Sequence, residues 1–176
     1  MYLIFLKVEM QLLKHIDFLE KTKDFNEASQ IWIYFAPSIF SEAQIQLVNQ
    51  NMDTFLSQWN AHKVSLEAVG MILYNQCIVL CVNQETATAS GCSVDASVRF
   101  IKDLGLKTQI DFFRRDLFYI LENDKIIEED IQNLNSYFQR NHDANIIPPF
   151  YQNLKDFKIQ FTQKIPLSVY KRMLNF

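Results

Sequence analysis

The chain has 176 residues, 49% of them hydrophobic and 14% aromatic, which is the composition of a packed domain and not of a disordered segment. Its formal net charge is −3, from 17 Lys and Arg against 20 Asp and Glu, with both signs interspersed. No basic block is left to follow a phosphate backbone, which argues against nucleic-acid binding.

The amino terminus, MYLIFLKVEMQLLKHIDFLEKTKDF, starts with an apolar run that stops at Lys7. A spanning helix needs about 20 apolar residues, and no small-residue cleavage site follows a charged start. Neither a membrane segment nor a secretory leader is therefore expected, and a cytoplasmic location follows. Leu12, Leu13, Ile16 and Leu19 recur at helical spacing, so residues 1–28 read as an amphipathic helical extension on a single domain spanning 1–176. Three cysteines do not make a disulfide framework. On a strand, Cys77 and Cys81 of CIVLCV stand about 13 Å apart, too far for a disulfide or a shared metal, and they read as small buried hydrophobes.

IWIYFA (31–36) is β-branched and aromatic and ends at Pro37, as a strand should. Ser41 with Gln44 predicts a capping box, followed by a helix over about 42–61 with Ile45, Val48, Met52, Phe55, Leu56 and Trp59 on one stripe. LEAVGMILYNQCIVLCVN (66–83) reads as two strands meeting at Asn75-Gln76, with Gly70 marking a bulge or a close backbone approach. A polar loop leads to a second helix that turns Val94, Val98, Ile101 and Leu104 inward and ends at Gly105. Asp95, Arg99 and Asp103 lie four apart on its other side, a spacing that permits weak ion pairs. DLFYILENDKII (116–127) turns at Asn123-Asp124, and IEEDIQNLNSYFQR reads as a third helix with Glu128, Glu129 and Asp130 at its positive end. Pro148-Pro149 breaks the chain before a tail without a clean period.

The order strand, helix, strand, strand, helix, strand over 30–121 predicts an α+β, ferredoxin-like split β-α-β sheet, with residues 122–176 adding a helix and tail. Trp32, Tyr34, Ile78, Leu80, Phe118 and Ile120 make one strand face apolar, and Ile31, Ile33, Val79, Leu117 and Leu121 do the same for the other. Both faces then need cover. The amino-terminal helix, the tail after Pro149, or a partner (a second copy, making a homo-oligomer, or another protein) are the candidates for the second face.

The stretch SGCSVDASVRFIKDLG (90–105) is the least ordinary segment. With Ser93 as cap, free first-turn N–H groups and the helix dipole favour an anion near Ser90, Gly91, Cys92, Ser93 and Asp95, with Arg99 almost two turns in. Cys92 would feel the same field, its thiol pKa would fall below the free value, and it is the one candidate nucleophile. The same residues equally serve as a plain helix start. Trp59 and His62 sit one turn apart at a helix end, where a histidine commonly meets the last carbonyls. Arg114 and Arg115 of FFRR can hold an acidic group or stay solvated. No HExxH, CxxC or EF-hand pattern is present, so neither a metal nor a cofactor is expected.

SGCSVDASVRFIKDLG, with IWIY upstream, FLSQWNAH between and NL…IPLS…RML near the end, resembles a family of small bacterial proteins often labelled "ABC transporter ATPase", over roughly residues 30–174. The resemblance matches Trp59, His62, Ser90, Gly91, Cys92, Ser93, Asp95 and Arg99 to the family's pattern. Val169, Tyr170 and Lys171 stand where that pattern has Trp-His before Arg-Met, so no role tied to those side chains carries over. The label's chemistry does not fit either. The chain has three glycines, none opening the GxxxxGK-Ser/Thr loop that cradles phosphates, and CIVLCV runs into Asn83-Gln84 where an acid is needed. ATP hydrolysis is excluded on that ground. The expected function is a non-enzymatic binding or assembly module; the alternative is a small-molecule or anion site at the Ser90–Ser93 loop with thiol chemistry at Cys92. RNA binding on the sheet is disfavoured, because CIVLCV lacks the aromatic and basic residues that stack and hold bases.

Overall fold

In the computed structural model, which describes residues 14–85 and 89–174, a first helix, α1, covers 14–21. Leu12 and Leu13 of the expected stripe lie outside the described residues. The helix buries Phe18, and the turns after it bury Thr22 and Phe25, whereas Ile16 is 50% exposed. Strand β1, Gln30–Phe35, follows. The capping box forms as expected: Ser41 Oγ accepts from the Gln44 amide at 3.3 Å, and Gln44 Oε1 accepts from the Ser41 amide at 2.9 Å. Helix α2, Glu42–Gln58, turns Val48 and Met52 inward.

A tight hairpin comes next, β2 (Asn60–Ala61) and β3 (Val64–Ser65), turned by His62 and Lys63 at φ 51° and 69°. Strands β4 (Ala68–Leu73) and β5 (Cys77–Val82) pair in unbroken register, so Gly70 makes no bulge. It makes a close approach instead: a Cβ there would lie 2.7 Å from Met52 Sδ on α2. The connecting turn is centred on Tyr74 and Asn75, both at φ 52°, one residue earlier than the sequence suggests.

Helix α3, Gly91–Thr108, passes through Gly105 instead of ending there and closes at Gln109, which is left-handed at φ 58°. Gly105 is needed for a different reason: a Cβ on it would lie 2.7 Å from the Ile110 carbonyl oxygen as the chain folds back. The buried stripe of α3 is Ser93, Ser97, Ile101, Leu104 and Thr108, while Val94 and Val98 are half-buried. The small hydroxyl residues reach the core because the helix itself satisfies them, Ser97 Oγ donating to Val94 O and Thr108 Oγ1 to Leu104 O, each at 2.7 Å.

Strands β6 (Leu117–Glu122) and β7 (Lys125–Asp130) form a two-residue hairpin at Asn123-Asp124, both left-handed, as the sequence predicts. Glu128 and Glu129 therefore lie on a strand, not at a helix start; Asp130 ends that strand and caps the 3-10 turn after it, its Oδ1 accepting from the Gln132 amide at 2.8 Å. The helix that follows, α4, is only Leu134–Arg140, preceded by a 3-10 turn over Ile131–Asn133. The tail supplies β8 (Asn145–Ile147), α5 (Leu154–Ile159), β9 (Gln163–Lys164) and two further 3-10 turns.

The strands make antiparallel sheets of order β1-β5-β4 and β7-β6-β8-β9, besides the small hairpin, so the protein is α+β. One face of the first sheet (Tyr34, Ile72, Ile78, Leu80, Val82) packs under α2 and α3 with Ile101 and Leu104. The other (Ile31, Ile33, Phe35, Val79, Cys81) is covered by Phe18, Phe25, Tyr151, Leu154 and Phe157. The chain thus covers its second face with its own amino-terminal helix and tail, and no partner is required there. Tyr119 joins this core by stacking on Phe35 at 4.1 Å, but Phe118 and Ile120 face away into a third core with Leu134, Ile146 and Ile165. Among the described residues no helix is long and apolar enough to cross a membrane.

His15 sits in the second-face core, stacked beside Phe157 at 5.7 Å and edge-on to Phe161 at 4.5 Å, with Nδ1 3.3 Å from the Tyr74 hydroxyl. Burial pushes its pKa below the ordinary 6.5. Below about pH 6.5 the unfolded chain takes up a proton that the folded ring refuses, so this group removes stability as pH falls through that window. In thermal melts from pH 8 to 5, His15→Gln is expected to lose less of its Tm than the parent below pH 6.5. Parallel profiles would show that the ring titrates freely.

Candidate functional site

The residues singled out in the sequence divide into two groups. Ser90, not Ser93, caps α3, with β-region backbone at φ −88° and its Oγ accepting from the Ser93 amide at 3.3 Å. Ser93 is 1% exposed, and its hydroxyl donates to Ser90 O at 2.8 Å. Trp59, 3% exposed, donates its indole N–H to Ser93 O at 2.9 Å and packs on Trp32 and Phe55. Trp59, Ser90 and Ser93 are therefore brought together, as the joint that fixes the start of α3 to the end of α2. Their polar atoms are already spoken for.

The second group faces solvent. Cys92 is a free, exposed thiol inside the first turn, not ahead of the cap. Asp95 and Arg99 are exposed and form no ion pair with each other among the described residues. Gly91 has open space where a Cβ would stand and no left-handed backbone, so neither a turn nor a close approach demands glycine there. His62 is not at a helix end but at the tip of the β2–β3 hairpin, exposed. Cys77 and Cys81 are buried in the second-face core, where burial pushes both thiols up, Cys81 to about 12.

A larger feature lies along β1. Ala36 N donates to Gln76 O at 2.7 Å, continuing the register in which Phe35 faces Cys77. In an antiparallel ladder, hydrogen-bonded and non-bonded pairs alternate. Tyr34, Trp32 and Gln30 therefore bond to β5, and the N–H and C=O of Ile31, Ile33 and Phe35 point to the outer edge. Ser29, one step earlier with the same parity, confirms the direction: its carbonyl accepts from Leu154 N at 2.8 Å. Beyond that bond, no strand among the described residues pairs with this edge.

Two adjoining cavities of about 480 and 540 Å³ run beside it. The first lies between Gln30–Tyr34 and Pro149–Gln152; the second continues past Ile33–Phe35 to Phe112–Arg115, Leu117 and Tyr119. Among the described residues neither opposite wall hydrogen-bonds to the edge through its backbone. β6 is paired with β7 along its length and with β8 at Tyr119 and Ile120, and Pro148 and Pro149 bring no N–H to the other wall. Phe150, 60% exposed, and Phe113, set edge-on to Tyr34 at 5.7 Å, make the cleft rim apolar. Arg114 is held by the Asp116 carboxylate, one of its contacts being Nε to Oδ1 at 2.9 Å, whereas Arg115 has no ion-pair partner among the described residues. Of these residues the sequence flagged only Arg114 and Arg115 as binding candidates; the double proline before Phe150 was a signal for one further wall.

No protein-family model matches this chain, and neither a curated protein nor a solved structure does.

Proposed function

We propose that this chain is a non-enzymatic binding module whose ligand surface is the cleft along the outer edge of β1. In this reading β1–α2–β4–β5–α3–β6 is a ferredoxin-like layer opened along one seam. The three strands that pair keep the order such a sheet requires, and β6, which would complete it beside β1, is bonded to β7 and β8 instead. The observation that carries the reading is the coincidence of an edge left unpaired among the described residues with apolar cleft walls, beside a first sheet whose two faces are covered. The hydroxyls of Ser90 and Ser93, by contrast, serve the helix they begin.

Screening apolar and carboxylate fragments by amide correlation spectra tests it. Shifts are expected at Ile33, Phe113 and Phe150, weakened about tenfold by Phe150→Asp, the loss of one well-placed apolar contact. Cys92→Ser should leave them unchanged. Shifts confined to Ser90–Asp95, or loss of binding in Cys92→Ser, would move the site to the start of α3 and overturn the proposal.

A further inference from the structure

We infer that the occupant of this cleft is an extended peptide segment of a partner protein, apolar at alternate positions and carrying a carboxylate at one end, which adds to β1 as a new edge strand. The inference rests on the cleft-binding reading above and supplies the chemistry of its ligand.

The backbone argues for a strand. Ile31, Ile33 and Phe35 present six N–H and C=O groups in a line of about 14 Å, four rises of ~3.4 Å from residue 31 to residue 35. A small apolar molecule would fill the cavity and leave those groups without partners, whereas a β-strand satisfies them in register. The lining argues for the side chains. Ile33, Phe113 and Phe150 offer apolar contact at intervals along the cleft, which suits residues pointing alternately to one side. Charge sets the end. The residues lining the two cavities include two arginines and no acid, and with Arg114 held by Asp116, Arg115 is the cation left to receive a carboxylate. A second copy of β1, QIWIYF, has no acid to offer, so charge favours a different chain.

The test uses the full chain and two blocked octapeptides, acetyl-TVTVTVDE-amide and the same peptide N-methylated at alternate residues. In the free protein the amides of Ile31, Ile33 and Phe35 are expected to exchange with solvent about 100-fold faster than those of Trp32 and Tyr34, which bond to β5. The plain peptide should slow the first three tenfold or more, and the N-methylated one should not. Arg115→Ala should weaken the acidic peptide about threefold against a version ending in Thr-Thr, as for an exposed ion pair. Slow exchange at Ile31, Ile33 and Phe35 in the free protein would overturn the proposal. Concentration dependence would then assign the edge to a second copy, and its absence to the chain's own residues 1–13. Equal binding by both peptides, or none, would also overturn it. Fragments that still bind the cleft in that case preserve the binding-module reading, and fragments that fail to bind there remove both.

Discussion

Phe157→Ala is expected to cost about 3–5 kcal/mol of folding stability, the range for emptying a fully buried aromatic site. Phe157 is 0% exposed and touches four rings at 5.0–5.7 Å: His15, Phe18, Tyr151 and Phe161. Its helix, α5, has six residues and cannot persist on propensity alone. It is held by Phe157 and Leu154 in the core, by the Asn153 side chain accepting from the Asp156 amide at 2.9 Å, and by Leu154 N on Ser29 O. Removing the ring therefore empties a site where the amino-terminal helix, the tail and the second face of the first sheet meet. Denaturant titration measures the loss, and amide exchange at Leu154 shows whether α5 detaches first. A loss below about 1 kcal/mol would mean that the neighbouring rings collapse into the space and that α5 is held mainly by its backbone bonds.

The consequence for binding follows from chain order. Pro149, Phe150 and Tyr151 form one wall of the β1 cleft and lead directly into α5. When α5 loosens, that wall loses its anchor, so the same variant should bind cleft fragments poorly even at temperatures where it remains folded.

Where chemistry is local, the sequence is a good guide. Ser41 and Gln44 form their box because each needs only the other's backbone three residues away. Asn123-Asp124 turns β6 into β7 because both residues tolerate left-handed backbone, and that turn also explains the largest misreading. A two-residue hairpin commits the next residues to a return strand, so Glu128–Asp130 pair with Leu117–Tyr119, and of the three acids only Asp130, at the strand's end, caps the turn of helix that follows. Ser90 and Ser93 are both good caps by composition. The choice falls on Ser90 because Trp59, 34 residues away, draws the Ser93 carbonyl into the helix joint. The cleft lies furthest from local rules. It is assembled from residues 30–35, 112–119 and 149–152, and its existence depends on β6 choosing β8 over β1, a choice made by tail residues that no window on the first strand contains.

Gly105→Ala and Gly91→Ala should change stability in opposite directions, although both lie in α3. Alanine in a helix interior gains about 0.5–1 kcal/mol over glycine. At Gly91, the first residue of α3, the new methyl meets nothing within 4 Å, so a gain of up to about 0.5 kcal/mol is expected, less than in a helix interior. At Gly105 it would stand 2.7 Å from the Ile110 carbonyl oxygen, a backbone atom that cannot swing aside as a side chain can. Overpacking of this kind costs about 1–3 kcal/mol against the propensity gain, which leaves a net loss of up to about 2.5 kcal/mol. Valine at the same site should be worse still, adding β-branched crowding to the clash. The loss also reaches the cleft. Ile110 N is bonded to Gly105 O, and two residues on the chain enters Phe112 and Phe113, which pack on Phe40 and Tyr34. If Ile110 yields to make room, Phe113 shifts along the rim, and binding of the acidic octapeptide should weaken in Gly105→Ala but not in Gly91→Ala. Paired denaturant titrations of the two variants decide the matter. Equal gains in both would show that the loop after α3 moves freely and that its approach to Gly105 stabilises nothing.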